Sequence, residues 1–223
     1  MKPRAILSWS SGKDSAFALH VARETGALDI VALLTTVSET HDRVAIHGVR
    51  REVLRAQAEA VDLPLVEVPL PSPCPNEIYE ARMAAALAPL LADGIADVVF
   101  GDLHLADIRT YREAQCDRAG MRAHFPLWGR ETGALAREMI AAGTVAHVAT
   151  LDLARLPADR LAARYDESFL RHLPPGIDPC GESGEFHTIV SDGPAFARPL
   201  RLVSGETVER DGFAYVDFAL AGD

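Results

Sequence analysis

The chain has 223 residues, with 22 Lys or Arg against 32 Asp or Glu, so its formal net charge is −10 with neutral histidines. A nucleic-acid-binding protein needs a basic face that neutralises phosphates, and this negative charge argues against that class. The apolar fraction of 48% and the charged fraction of 24% are typical of a globular protein and exclude a disordered or fibrous chain.

The sequence carries no signal for a membrane or for an oxidising compartment. No apolar run approaches the roughly 20 residues that span a bilayer, and the N-terminal apolar run covers only residues 5–7. The chain has an odd number of cysteines, and they are widely spaced: Cys74, Cys116 and Cys180. This pattern predicts reduced thiols and not a disulfide framework. We therefore expect a cytoplasmic protein with no membrane partner.

The first two thirds of the chain alternate between short apolar runs and longer stretches of helical period, which is typical of β-α-β units. Strands are predicted at 5–8, 29–35, 65–68, 97–100, 121–125 and 145–151. Helices are predicted at 14–25, 50–61, 76–93, 108–119 and 131–142. The nearly unbroken apolar run at 29–35 fits a sheet that is covered on both faces. The pattern predicts an α/β fold with an open, mainly parallel, doubly wound sheet.

The pattern changes near residue 152. Residues 153–172 predict one or two short helices, and four alternating runs, at 188–190, 200–203, 207–208 and 214–218, are typical of antiparallel strands. We therefore predict a main α/β domain at residues 1–152 and a small C-terminal α+β appendage at residues 153–223.

The loop after the first strand, Ser8-Trp9-Ser10-Ser11-Gly12-Lys13-Asp14-Ser15, opens the first helix. Small residues and backbone N–H groups at the positive end of a helix bind anions. A Walker A loop would need Gly at position 7 and Ser or Thr at position 14, where the chain has Leu7 and Asp14. A dinucleotide-binding loop needs three glycines, and only Gly12 is present. Both of these loop types are therefore excluded.

The segment Ser10-Ser11-Gly12-Lys13-Asp14-Ser15 resembles the PP-loop of the N-type ATP pyrophosphatases, S-G-G-x-D-S, with Ser11 in place of the first glycine. The resemblance implies that all six residues bind the β- and γ-phosphates of ATP, which is cleaved to AMP and pyrophosphate. Ser11 would be strained if its position requires a positive φ. The alternative is an ordinary helix start with a capping serine.

Further segments resemble the diphthine–ammonia ligase family between Ser10 and Phe196. They are His47-Gly48-Val49-Arg50-Arg51 with Gln57, Gly101-Asp102, Arg109 with Glu113, Cys116 and Gly120, Pro126-Leu127-Trp128, the run 178–188, and Asp192-Gly193-Pro194. In this family ATP activates a carboxylate as an acyl adenylate, and ammonia then displaces AMP to give an amide. The resemblance therefore implies ATP and ammonia as substrates.

Two of these segments, and the pair Thr35-Thr36, lie at the carboxyl ends of predicted parallel strands. Ligands of an open parallel sheet bind beyond the carboxyl ends of its strands, where Ser10–Ser15, Thr35-Thr36 and Gly101-Asp102 all fall. We expect these residues to bind ATP in one crevice. Asp14 and Asp102 are candidate catalytic residues and Mg²⁺ ligands, because that ion prefers a few carboxylates together with phosphate oxygens. The alternatives are a carboxylate favoured by the helix dipole and an ordinary turn residue.

Candidate acceptor-binding residues lie further along the chain. Arg109 and Glu113 are four residues apart on one predicted helix face, from which Arg109 would bind a carboxylate or phosphate. The alternative is a solvated ion pair that contributes only a few tenths of a kcal/mol. The family match adds His47, Cys180, Gly181 and Gly184 to the predicted substrate-binding set.

Glu182 and Glu185 flank a Gly/Ser turn and are candidate catalytic carboxylates. Their spacing would let both approach one cation, such as ammonium, a metal ion or a developing amine. The alternative is an exposed acidic turn. Cys116 and Cys180 would form a thiol pair in a PP-loop sulfurtransferase, whereas the alternative for each is a small buried residue.

The sequence therefore predicts a Mg²⁺-dependent ATP pyrophosphatase that adenylates a carboxylate and amidates it with ammonia. We expect free ammonium as the nitrogen source, because no glutaminase region is visible. The Arg- and Ala-rich composition suggests a bacterial genome, in which diphthine would be absent, so the acceptor stays open between a small molecule and a protein side chain. The alternatives are sulfur transfer to a nucleotide or tRNA, and a non-catalytic ATP- or AMP-binding module. A homodimer is compatible with the sequence.

Overall fold

The computed structural model describes residues 2–44 and 48–222. Its strands are β1 (Arg4–Ser8), β2 (Asp29–Ser38), β3 (Arg43–Val44), β4 (Leu65–Leu70), β5 (Asp97–Val99), β6 (Arg122–His124), β7 (Val145–Asp152), β8 (Phe186–Asp192), β9 (Leu202–Arg210) and β10 (Phe213–Leu220). Its α-helices are α1 (Lys13–Thr25), α2 (Arg51–Ala60), α3 (Asn76–Ala92), α4 (Ala106–Arg118), α5 (Thr132–Ala141) and α6 (Glu167–Arg171), and a 3₁₀ turn covers Ala158–Arg160. Among the described residues no helix is both long and apolar enough to cross a membrane.

The first sheet contains five parallel strands in the order β4-β2-β1-β5-β6, and the short β3 pairs antiparallel with the end of β2. Side chains of β1 alternate between two cores. Ala5 and Leu7 pack in the core that includes helices α1 and α2, whereas Ile6 packs in the core that includes α3 and α4. Both faces of the sheet are therefore covered, which explains why residues 5–7 of β1 and 30–34 of β2 are all apolar. The chain leaves β1 in opposite directions toward β4 and β6, so the predicted doubly wound α/β fold is confirmed.

The second sheet is antiparallel, in the order β8-β7-β10-β9. It confirms the predicted antiparallel C-terminal part, in which residues 202–203 and the run 207–208 belong to one strand, β9, which begins at Leu202. The expectation that the strand at 145–151 completes the parallel series is wrong, because β7 pairs with β8 and β10. The change of sheet falls between β6 and β7, upstream of residue 152. Both sheets share one core, in which Val148 and Ile189 pack with Trp9 and Leu54.

A carboxylate on β10 connects the second sheet to the segment before α2. Asp217 Oδ1 accepts hydrogen bonds from Arg43 Nη1 at 2.7 Å and from Arg50 Nε at 3.0 Å. Arg43 Nη1 also donates to the Gly48 carbonyl oxygen at 2.8 Å. The hydrogen bonds from Arg50 and then Arg43 lower the pKa of Asp217 to about 2 against the opposing effect of burial. The pair of arginines thus fixes both ends of the connection from β3 to α2.

Replacing this carboxylate should produce an acid-dependent loss of stability. We expect Asp217→Asn to lower the free energy of unfolding near neutral pH by about 1.5–3 kcal/mol, which is typical of a hydrogen bond to a charged group. The pKa of Asp217 lies below the ordinary 3.8, so its stabilising effect is complete above pH 3.8 and is lost as the pH falls toward about 2. Urea unfolding at several pH values measures the difference between wild type and variant, which should shrink over this range.

Asp211→Asn is the matched control, because this aspartate lies in the turn between β9 and β10 and its side chain is 89% exposed. Its stability should follow that of the wild type at every pH. An Asp217→Asn difference that stays constant with pH would contradict the assignment.

Candidate nucleotide-binding site

The loop between β1 and α1 has a left-handed turn at a residue that is not glycine. Ser11 has φ of 70°, and Gly12, the N-cap of α1, is extended. The Ser10 hydroxyl accepts a hydrogen bond from the Gly12 N–H at 3.3 Å and lies 3.1 Å from Ser15 Oγ. Position 11 therefore requires a positive φ, which glycine adopts without strain and serine does not. The Ser11 hydroxyl is also buried and has no hydrogen-bond partner among the described residues.

The second sheet holds this loop in place. Val190 of β8 donates its N–H to the Ser11 carbonyl oxygen at 3.0 Å. The buried Gln57 side chain of α2 donates to the carbonyl oxygens of both Ser11, at 3.2 Å, and Val190, at 2.7 Å. Its own carbonyl oxygen accepts from Trp9 Nε1 at 3.0 Å. The first N–H of α1 donates to Thr188 Oγ1, also on β8, at 3.1 Å. One edge of β8 thus fixes the backbone of the loop.

Lys13 is buried, with 2% of its surface exposed, and yet it is charged. Burial lowers its pKa, but the neighbouring Asp14 carboxylate more than offsets this effect and holds the pKa above its ordinary value. Lys13 Nζ donates to both Asp14 carboxylate oxygens, at 3.0 and 2.9 Å, and to the Cys180 carbonyl oxygen. It also lies over the rings of Tyr165, at 5.2 Å, and Phe186, at 5.5 Å. A fixed positive charge therefore stands at the start of α1.

Gly101 brings the end of β5 against this loop. A Cβ atom at Gly101 would lie 2.9 Å from both the Asp14 carbonyl carbon and the Ser15 nitrogen. Real Cβ atoms do not approach backbone this closely, so only glycine fits. Gly101 was expected to bind ATP. Its lack of a side chain also lets the end of β5 pack directly against the backbone of the loop.

A cavity of about 160 Å³ opens between the loop, the end of β5 and the turn at 180–182. Its lining includes Ser10, Lys13, Asp14, Ser15, Gly101, Asp102, Arg112, Cys180, Gly181, Glu182 and Thr188. Six of these eleven come from the segments 10–15 and 101–102, which were expected to share one crevice. Four more come from the run 178–188, whose place beside the loop was not predicted, and the last is Arg112. The structure therefore brings the loop, Gly101-Asp102 and part of the 178–188 run together around one small polar space.

Two carboxylates in this cavity suit a magnesium ion that arrives with phosphate. Among the described residues no three His, Cys, Asp or Glu form a group that could hold a metal by themselves. Asp14 and Asp102 both line the cavity, where Asp14 bonds to Lys13 and Asp102 Oδ2 lies 3.6 Å from Arg112 Nε. Mg²⁺ commonly takes one or two carboxylates and completes its octahedron with phosphate and water oxygens. The residues present therefore fit Mg²⁺ bound to a polyphosphate.

Glu182 faces the cavity from the opposite side. Its Oε1 accepts hydrogen bonds from the N–H groups of Leu103, at 2.8 Å, and His104, at 3.4 Å. Burial raises the pKa of Glu182, and the nearby Asp14 carboxylate adds to the effect, although the two N–H groups oppose it. The carboxylate is therefore more basic than a solvated glutamate.

Glu185 lies behind this turn and outside the lining of the small cavity. Its side chain is 1% exposed, so the expectation of an exposed acidic turn as the alternative is wrong for this residue. Oε1 accepts from the Asp178 N–H at 3.1 Å and pairs with Arg155 Nη2 at 3.0 Å. Glu185 is therefore placed to stabilise the turn and not to contact a ligand in the small cavity.

A second cavity, of about 530 Å³, adjoins the first. Its walls come from the ends of β2 and β5 and from helices α3 and α4, and they include Leu34, Thr35, Thr36, Leu70, Tyr79, Met83, Leu87, Val98, Phe100, Arg112 and Cys116. Ser8, Ser10, Phe100 and Arg112 line both cavities, so the two spaces lie side by side. A small polar cavity thus adjoins a larger and mostly apolar one.

Arg109 and Glu113 form the expected pair on α4, with Arg109 Nε donating to Glu113 Oε1 at 2.7 Å. The Arg109 guanidinium stacks on the rings of Phe125, at 5.0 Å, and Trp128, at 4.7 Å. Within the described part of the chain, neither Arg109 nor Glu113 lines the two cavities. The face of α4 that does so carries Arg112, which the sequence analysis missed because helical spacing relates residues to one another and not to the sheet.

The remaining predicted ligands have varied positions. Gly181 has φ of 70°, and a Cβ there would lie 2.7 Å from the Phe186 carbonyl oxygen, so it closes the turn beside the small cavity. Gly184 has φ of 82° with open space around it and serves the same turn. Gly120, which belongs to the family-like segments, lies just beyond the end of α4. His47 lies outside the described residues.

Both buried cysteines are protonated thiols. Cys180 lines the small cavity, its Sγ donates to the Thr132 carbonyl oxygen at 3.4 Å, and burial raises its pKa to about 12. Cys116 lines the large cavity, and burial raises its pKa to about 11. The thiolate is the reactive form of cysteine, so these environments suit small buried residues better than nucleophiles.

Removing the strained serine should stabilise the protein. We expect Ser11→Gly to raise the free energy of unfolding by about 1 kcal/mol, because relief of the left-handed strain and of a buried unpaired hydroxyl outweighs the entropy of glycine in the unfolded chain. Ala162→Gly is the control, since Ala162 has φ of 60° and no hydroxyl. It should change the stability by less than about 0.5 kcal/mol. A Ser11→Gly variant less stable than wild type in urea would contradict this account.

Removing the amide that joins the loop to β8 should have the opposite effect. Gln57→Leu leaves Trp9 Nε1 and the Val190 carbonyl oxygen without this partner, and we expect a loss of about 2–4 kcal/mol in urea unfolding. Gln115→Leu on α4 replaces a half-buried glutamine and should cost less than about 0.5 kcal/mol. Equal losses in the two variants would show that the Gln57 amide does not support the loop.

Comparisons with known proteins agree with this geometry. A family model described as the diphthamide synthase N-terminal domain matches residues 2–123, and one described as the diphthamide synthase C-terminal domain matches residues 132–219. A *Schizosaccharomyces pombe* protein named diphthine–ammonia ligase is 27% identical over 219 residues, which cover 90% of this chain but only 36% of that relative. A *Danio rerio* protein of the same name is 27% identical over 238 residues, covering 94% of this chain and 91% of the relative. The chain therefore belongs to the diphthamide synthase family, which includes the diphthine–ammonia ligases.

Proposed function

We propose that this chain is an ATP-dependent, AMP-forming ligase that adenylates a carboxylate and then amidates it with ammonia. The observation that carries the proposal is the small cavity at the start of α1, which combines a buried ammonium, backbone N–H groups and two carboxylates. Such a helix start favours phosphate oxygens, and the carboxylates suit the magnesium ion that accompanies ATP. The adjoining cavity has the apolar walls and the volume that an adenosine group needs.

The two cavities suggest how ATP would lie. The triphosphate would occupy the small cavity, with Ser10, Lys13 and Ser15 along its wall, and the adenosine would occupy the large one beside Thr35 and Thr36. Asp14 and Asp102 would hold Mg²⁺, which when bound neutralises charge on the phosphates. The backbone of the loop is already fixed by β8 and Gln57, so it would keep its shape when the triphosphate binds.

The proposed reaction has two steps. In the first, an acceptor carboxylate oxygen bonds to the α-phosphorus, the bond from that phosphorus to the bridging oxygen breaks, and pyrophosphate leaves with the electron pair. Lys13 and the N–H groups at the start of α1 stabilise the charge that develops on pyrophosphate. In the second step Glu182, whose pKa burial raises, first accepts a proton from ammonium. The resulting ammonia attacks the acyl carbon, and the bond from that carbon to the AMP oxygen breaks. The AMP phosphate leaves with the electron pair and takes up the proton that the nitrogen loses as the amide forms.

The acceptor is proposed only as a carboxylate, on a small molecule or on a protein side chain. The two relatives are named for diphthine, but the chain spans 36% of the *Schizosaccharomyces pombe* protein and shares 27% identity with it. Sulfur transfer is a weaker candidate, because Cys116 and Cys180 have raised pKa values and the net charge of −10 disfavours an RNA substrate.

The proposal is tested by exchange of labelled pyrophosphate into ATP with a panel of candidate carboxylates. We expect exchange that depends on one acceptor class, and release of AMP and pyrophosphate in equal amounts when ammonium is added. Cys116→Ala should have a partial effect at most. ADP as a product would contradict the proposal, loss of turnover in Cys116→Ala would favour sulfur transfer, and nucleotide binding without exchange would favour a sensor.

The only two lysines of the chain provide a matched pair of variants. We expect Lys13→Met to reduce exchange at least about 100-fold, because it removes the charge that stabilises the leaving pyrophosphate. Lys2→Met removes an exposed lysine and should retain wild-type exchange. Circular dichroism of both variants checks the fold, and a folded Lys13→Met variant with full exchange would contradict the assigned role.

A further inference from the structure

Arg112 occupies the junction between the two cavities. It lines both of them, together with Phe100, and its guanidinium lies 4.9 Å above the Phe100 ring. The face of an aromatic ring attracts a cation at this distance, so Phe100 helps to hold the guanidinium beside the two cavities. This arginine is therefore positioned at the passage through which a ligand that fills both cavities must run.

The hydrogen-bonding capacity of Arg112 is not used within the described residues. Its Nε is buried and has no hydrogen-bond partner there, and the nearest carboxylate oxygen, Asp102 Oδ2, lies 3.6 Å away. That distance is too long for a hydrogen bond, although the opposite charges still attract. A buried guanidinium donor without an acceptor is costly, and an anionic ligand would satisfy it.

Lys13, the other cation that lines the small cavity, already has hydrogen-bond acceptors. Lys13, at the far side of the small cavity, already donates to both oxygens of Asp14 and to the Cys180 carbonyl oxygen. Arg112 offers a planar set of donors that matches two oxygens of one phosphate. The two cations thus suit different parts of a polyphosphate ligand.

The geometry points to Arg112 as the residue that binds the α-phosphate of ATP and the same phosphate of the AMP product. This inference rests on the proposed function, which places the triphosphate in the small cavity and adenosine in the large one. The α-phosphate is the covalent link between these two groups, so it must lie at their junction. There the guanidinium stabilises the negative charge on the non-bridging oxygens while the carboxylate oxygen bonds to phosphorus and pyrophosphate departs with the electron pair.

Binding of ligand fragments tests this assignment without the unidentified acceptor. Calorimetry would measure the affinities of ATP, AMP, adenosine and pyrophosphate for the wild type, Arg112→Gln and Arg112→Lys. We expect Arg112→Gln to weaken ATP and AMP binding about 10- to 100-fold, as for loss of charge-assisted hydrogen bonds, and to leave adenosine and pyrophosphate binding unchanged. Arg112→Lys retains the charge but loses the planar donors, so its losses should be smaller.

Arg82→Gln serves as the control, because Arg82 is an exposed residue of α3 that pairs with Glu39 at 3.2 Å. Its four affinities should equal those of the wild type. Wild-type affinity for AMP in both Arg112 variants would overturn the inference and leave the proposed function intact, since Arg112 would then face the acceptor carboxylate. Failure of the wild type to bind ATP would overturn the proposed function itself. If Arg112→Gln does not fold, an unchanged AMP affinity in Arg112→Lys decides against the inference.

Discussion

The candidate site depends on the backbone hydrogen bonding of one loop to the edge of a strand from the other sheet. The Ser11 carbonyl oxygen accepts from the Val190 N–H and from the Gln57 side chain, and Gln57 also binds Trp9. These bonds keep Ser11 in a left-handed conformation that serine avoids in an unconstrained chain. Removal of any part of this arrangement would free the backbone that leads into α1. The second sheet is therefore part of the candidate site, although it contributes few of the residues that line it.

The same arrangement explains how a lysine stays charged in the interior. Lys13 is surrounded by Tyr165 and Phe186 from the C-terminal half. The Asp14 carboxylate, the more distant Glu182 carboxylate and the hydrogen bond to a carbonyl oxygen compensate its burial. A chain that uses arginine for all but two of its basic residues retains a compact ammonium here, where a guanidinium would be larger and planar. The charge is fixed in the absence of a ligand, so the proposed reaction would need no reorganisation of Lys13 when charge develops on pyrophosphate.

Much of the fold could be predicted from the sequence, because buried parallel strands and amphipathic helices have distinct periods. The loop at 10–15, the first sheet and the antiparallel tail are examples. The sheet to which β7 belongs could not be predicted, because an apolar strand has the same sequence pattern in a parallel and in an antiparallel sheet. Two site features were missed for related reasons. The spacing of Arg109 and Glu113 indicated a shared face of α4 but not the face that meets the cavities, and no local pattern shows that Gln57 reaches across to β8.

The central claim is that the loop, as the second sheet fixes it, binds the polyphosphate of ATP. A crystal structure with α,β-methylene ATP is the most direct measurement. We predict the triphosphate in the cavity beside Lys13 and Gly101, the adenosine between α3 and α4, and Ser11 still left-handed and bonded to Val190. A polyphosphate bound elsewhere, or a loop that leaves β8 to reach the nucleotide, would contradict the account.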